Sequence, residues 1–179
     1  MFGGRVSGTV SNNVYTAPIN ADGTIGTWVT STALPGVLNG SQAVVTKNRV
    51  YLLGGHNGSA ATTAVYTAVI NNDGTLGGWS TGVSLPVATY AASAVVTKNR
   101  VYLLGGYNGS VGNANVYIGL ITPDGIINSW TTDTALPGVL FTSSVFVSKN
   151  KVYLLGVEIL HLGYLWSIPA ILTLMEQLS

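Results

Sequence analysis

The chain contains no cysteine. Without thiols it has no disulfide, no thiolate metal site and no cysteine nucleophile, and the redox compartment stays open. Charge is nearly as scarce, at 7% of residues with a net of +1. The basic field that nucleic acid or an anionic membrane demands is therefore missing, and neither is expected as a partner. No apolar run reaches the ~20 residues that span a bilayer; the longest, from Leu162 to Met175, is broken by Pro169. The opening Met-Phe-Gly-Gly-Arg lacks the cationic start and apolar core of a secretory signal, so the expectation is a chain that stays inside or one whose true start lies upstream.

What is plentiful is apolar residue, at 47% of 179, and glycine, at 23. That apolar share buries a sizeable core, and richness in Gly, Ser, Thr and Asn with few charges suits a turn-dense all-β protein.

The decisive feature is an internal repeat. Trp28, Trp79 and Trp130 recur every 51 residues, as do Pro35, Pro86 and Pro137, Tyr15, Tyr66 and Tyr117, and the glycine pairs Gly3-Gly4, Gly54-Gly55 and Gly105-Gly106. No residue is gained or lost between copies. Within one copy, Ala43–Thr46 and Arg49–Leu53 are β-rich runs separated by Lys47-Asn48, a connection of hairpin length. A third strand is expected around Val65–Ile70, then a turn at Asn72-Asp73-Gly74 and a short fourth strand ending near Trp79. Leu85-Pro86 marks the connection to the next copy.

The Val-Tyr-Leu-Leu run is apolar at consecutive positions, which implies a sheet covered on both faces. Four short strands per unit and a period near 50 describe propeller blades, with a sandwich or a β-solenoid as alternatives. The fold expected is all-β, a partial or open β-propeller, with units of about 4–54, 55–105 and 106–156. Counting pairs from either end gives twelve strands for residues 1–156: two, then two full blades, then two more.

The residues Tyr51-Leu52-Leu53-Gly54-Gly55, Val65-Tyr66 and Trp79, with their counterparts, resemble the kelch motif, a hydrophobic strand ending in Gly-Gly followed by a Tyr and a spaced Trp. The resemblance covers about residues 1–156. It implies kelch-like blades of four antiparallel strands, in a group that includes protein-interaction modules, the catalytic domain of galactose oxidase and sialic-acid mutarotases. The Asp-Gly segments at Asp22, Asp73 and Asp124 also resemble the Asp-box of sialidases, but the distance to the Trp is one residue longer, so these aspartates are read as turn formers.

Departures from the enzymes carry more weight. A copper oxidase needs histidine and tyrosine ligands with a cysteine-linked tyrosine, yet the repeats hold one histidine, His56, and no cysteine. Acid–base chemistry needs a positioned carboxylate; the repeats offer Asp22, Asp73 and Asp124 in turns, and Asp133, while Glu158 and Glu176 fall outside the pattern. No catalytic residues, cofactor or metal are expected, and the chain reads as a non-catalytic interaction or structural module, a fragment of a longer propeller. A glycan-binding or sugar-processing propeller and a truncated, non-functional product are the alternatives.

In a four-stranded antiparallel blade the loops after strands two and four share one end. There the copies differ. Arg5, His56 and Tyr107 are equivalent after Gly-Gly, and Asn39, Tyr90 and Phe141 are equivalent after Leu-Pro. Varied aromatic and polar tips on a rigid scaffold suit recognition, so Asn39, His56, Asn57, Tyr90, Tyr107, Asn108 and Phe141 form the candidate face for a protein or glycan ligand. Drift at solvated tips is the plain alternative. The sequons at Asn39, Asn57 and Asn108 need no glycan, since Asn-Gly suits turns.

After Gly156 the pattern stops. The codons of Met175-Glu176, read from the third base of each, must encode the glycine that the register of Gly125 requires. Residues 157–179 are therefore expected to be a frameshifted fourth blade, with a C-terminal amphipathic helix as the alternative. Open edges left by incomplete blades make homodimerisation through shared blades a further expectation.

Overall fold

The computed structural model describes residues 2–155. The expectations for residues 157–179 lie outside the described residues.

The described chain is entirely β, with fourteen strands in five antiparallel sheets. In order they are β1 (Arg5–Val6), β2 (Thr9–Val10), β3 (Val14–Thr16), β4 (Val29–Ser31), β5 (Gln42–Thr46), β6 (Arg49–Leu53), β7 (Val65–Val69), β8 (Ser80–Thr81), β9 (Ser93–Thr97), β10 (Arg100–Leu104), β11 (Val116–Ile121), β12 (Ile127–Asp133), β13 (Ser144–Ser148) and β14 (Lys151–Leu155). Two complete four-stranded blades, β5-β6-β7-β8 and β9-β10-β11-β12, lie between the pairs β3-β4 and β13-β14. Among the described residues no helix is long and apolar enough to cross a membrane.

Two expectations need correction. The twelve strands become fourteen because the loop of the first copy closes as a small hairpin, β1-β2, through Ser7 and Gly8 at φ 48° and 83°. The equivalent loops hold only single bridges, His56 to Ala61 and Tyr107 to Gly112. The fourth strand also does not end near its Trp. It starts just after Trp28 and Trp79, whereas β12 runs through Trp130. Glycine explains the difference: it weakens a strand, and where the first two copies have Gly26 and Gly77-Gly78 the third has Asn128-Ser129, so its pairing runs from Ile127 to Asp133, across a bulge at Leu120/Ile121.

The consecutive apolar run has the double role its pattern implies. On β6, Tyr51 and Leu53 join Val44, Val65, Val101, Leu103 and Ile127 in the core between the two full blades. Leu52 points the other way, into a second core with Val14, Leu34 and Leu38, backed by Phe2, Tyr66 and Trp79. Burying such a side chain contributes about 1.5–3 kcal/mol, and β6 does so on both of its faces. On β14 the same run leaves Val152 and Leu155 exposed; the residues that follow it are not among those described.

The tryptophans also join neighbouring sheets. Trp79 Nε1 donates to the Thr32 carbonyl at 3.0 Å, and Trp130 Nε1 to the Val83 carbonyl at 3.1 Å. Deeper in the joint, the Tyr51 hydroxyl accepts from Ile127 N (3.1 Å) and donates to the Gly125 carbonyl (3.2 Å), which also receives Thr46 Oγ1 at 2.7 Å. Each such contact ties one sheet to the next.

Candidate functional site

Glycine brings the loops together. Gly54 and Gly55 take φ of 61° and 117°, and Gly105 and Gly106 take 63° and 107°, conformations that L side chains rarely adopt. They also leave no space: a Cβ on Gly54 would meet the Thr89 carbonyl at 2.3 Å, and one on Gly105 the Leu140 carbonyl at 2.2 Å. The second glycine of each pair donates across the joint, Gly55 N to Thr89 O at 2.8 Å and Gly106 N to Leu140 O at 2.6 Å. The turn after strand two of one sheet is thereby pressed against the connector leading into the next.

Just beyond this joint the backbones of the two loops pair. Asn39 and His56 exchange two hydrogen bonds of 3.0 and 2.8 Å, and Tyr90 and Tyr107 exchange two of 2.9 Å. The next residue is left-handed in all three copies, Gly40 (φ 61°), Ala91 (53°) and Thr142 (56°). From there Ala91 N donates to Gly40 O and Thr142 N to Ala91 O, both at 2.8 Å, linking three successive connectors.

On that base the rings form one row. His56 meets Tyr90 edge-on with centroids 5.3 Å apart, Tyr90 meets Tyr107 edge-on at 5.6 Å, and Tyr107 meets Phe141 tilted at 5.6 Å. These separations and angles are the favourable ones for aromatic pairs. All four residues are half-buried. Gly58 N donates to His56 Nδ1 at 3.1 Å, so the imidazole is held in place and its Nε2 carries the free N–H.

Asn57 and Asn108 stand in the exposed turns beside the row. The Asn57 carboxamide oxygen accepts from Ser59 N and Ala60 N, and that of Asn108 from Ser110 N and Val111 N, at 2.9–3.0 Å. Their carboxamide nitrogens have no partner among the described residues and remain available to a ligand. Asn39 lies at the first end of the row, and the adjoining Gly40 packs against the Tyr90 ring.

The structure thus gathers all seven candidate residues at one end of the blades. Sequence reasoning missed Ala91 and Thr142, the left-handed residues that link the connectors; the signal was present, since Gly40 holds the equivalent position in the first copy. The turn reading of the aspartates also holds at the other end. Asp22 Oδ1 accepts from Thr24 N and Oγ1 (3.0 and 2.6 Å), and Asp73 Oδ1 from Thr75 N and Oγ1 (2.9 and 2.7 Å). The threonine hydroxyl first, and its backbone N–H second, hold both carboxyls below the usual value of 3.8.

No family model matches the chain. Kelch-like protein 38 of Homo sapiens is 27% identical over 134 residues, which cover 74% of this chain and 22% of that protein. Among solved structures, YjhT superposes with a TM-score of 0.60 at 14% identity, over 74% of this chain and 42% of the other. The chain therefore spans less than half the length of either relative.

Proposed function

We propose that this chain, a run of kelch-repeat β-propeller blades, is a non-catalytic binding module that engages a protein partner through the aromatic row at the end where the second and fourth loops meet. The observation that carries the reading is the continuity of His56, Tyr90, Tyr107 and Phe141 across successive sheets. Half-buried aromatics, held rigid at their bases and ringed by polar loops, have little freedom to lose on association and are the residue types that dominate interface energetics. The non-catalytic part rests on the side chains: the carboxylates of Asp22 and Asp73 are engaged within their own turns, at the end away from the row.

A glycan ligand is the second reading, favoured by the free carboxamide nitrogens of Asn57 and Asn108, which directly follow His56 and Tyr107 of the row. Peptides selected from a displayed random library on the intact chain, then titrated against the wild type and a Tyr90→Ala/Tyr107→Ala/Phe141→Ala variant, test the first. Truncating anchors of this type is expected to weaken binding at least about tenfold. Unchanged affinity in a folded variant refutes the reading, and saturable binding on a glycan array with no selected peptide replaces it by the second.

A further inference from the structure

The opposite end of the blades has a different chemistry. Six of the seven Lys and Arg residues of the chain fall in or beside three equivalent hairpins: Lys47 and Arg49, Lys98 and Arg100, Lys149 and Lys151. The inner strands β5, β9 and β13 run side by side, so these hairpins are neighbours. The lysines Lys47, Lys98 and Lys149 take φ of 37°, 33° and 47°. That conformation favours glycine, yet lysine fills it in every copy.

Between the first two hairpins lies an open groove of about 270 Å³. Lys47, Lys98 and Asn99 form its polar rim, and Val45, Val96 and Ile121 its apolar wall; no carboxylate lines it. The Lys47 ammonium donates to the Pro123 carbonyl, which holds it at the rim. Lys98 is exposed and makes no hydrogen bond or ion pair among the described residues.

We propose that this groove binds a small dicarboxylate, with one carboxylate on Lys47, the other on Lys98 and its carbon skeleton on Val45, Val96 and Ile121. Two cations with no acid between them favour two negative charges over one, because ammonium groups act as compact point charges. The apolar wall favours a ligand with carbon between those charges over an inorganic ion. The site is separate from the aromatic row and independent of the reading given for it.

Calorimetric titration of the full chain with succinate, with glycerol 1-phosphate and with neutral succinamide tests the proposal. Saturable binding of succinate, with succinamide inert, is expected, and binding of glycerol 1-phosphate alone overturns the two-ended geometry. Lys98→Gln should weaken that binding about tenfold, as loss of one charge-assisted contact does. Lys149→Gln, outside the groove, should leave it unchanged. Lys98→Gly keeps the test clear of folding: relief of the left-handed lysine should raise stability in urea while affinity falls. The proposal is overturned by an absence of saturable binding at millimolar succinate, by equal binding of succinamide, or by Lys98 variants that bind as the wild type does.

Discussion

Gly105→Ala should be among the most damaging single methyl additions in the molecule, and Gly109→Ala provides its control. Both glycines have positive φ, 63° and 101°, so both variants carry the left-handed penalty of about 1–2 kcal/mol. They differ in space. The new Cβ at Gly109 meets nothing within 4 Å, whereas at Gly105 it would lie 2.2 Å from the Leu140 carbonyl oxygen. That carbonyl is the acceptor for Gly106 N at 2.6 Å, so the connector cannot retreat without breaking the bond that closes the joint. A buried donor left unpaired costs about 1–3 kcal/mol more. Gly105→Ala should therefore lose about 3 kcal/mol, a large part of the roughly 5–15 kcal/mol that holds a typical domain, and Gly109→Ala no more than about 2. Urea unfolding followed by tryptophan fluorescence measures both. Equal losses in the two variants would show that backbone conformation alone matters at Gly105, and the account of the joint would be wrong.

Tyr51→Phe removes the hydroxyl shared by Ile127 N and the Gly125 carbonyl inside a buried joint and should cost about 1–3 kcal/mol in the same assay, while Tyr102→Phe, at the equivalent position with no hydrogen bond among the described residues, should cost under ~0.5. Because the Thr75 hydroxyl and N–H depress the Asp73 carboxyl below 3.8 in the folded state, its contribution to stability is present above that value and is lost as pH falls through the depressed folded pKa. Thr75→Ala should move the Asp73 titration upward toward 3.8 in carbon-detected NMR and shrink that acid-side loss; an unmoved titration counts against the turn hydrogen bond as the cause.

Much of the architecture was legible because each repeated residue carries a distinct physical requirement. The matched Trp, the Gly-Gly pairs and the unbroken Val-Tyr-Leu-Leu run announce sheets covered on both faces, and Leu52 and Leu53 on opposite sides of β6 bear this out. The candidate face was legible only as a set of equivalent positions. That His56 and Tyr90, 34 residues apart, place their rings 5.3 Å from each other depends on how far one sheet turns relative to the next, and periodicity carries no such angle. Strand ends were misread where local chemistry varies between copies: Gly77-Gly78 delays β8, Asn128-Ser129 at the same positions lets β12 run longer, and Ser7-Gly8 folds a turn into β1-β2. Lys47 was legible as part of a hairpin connection, but not that it and its counterparts occupy a conformation suited to glycine.

The hydrogen bonds of the Asn39–His56 and Tyr90–Tyr107 junctions join main-chain atoms only, with nearly the same lengths despite unlike side chains. What holds the loops in position is thus indifferent to what the loops display. Residues at these four sites can be exchanged for others without a matching change in the framework, so one scaffold can be re-addressed to a new target by rewriting its tips.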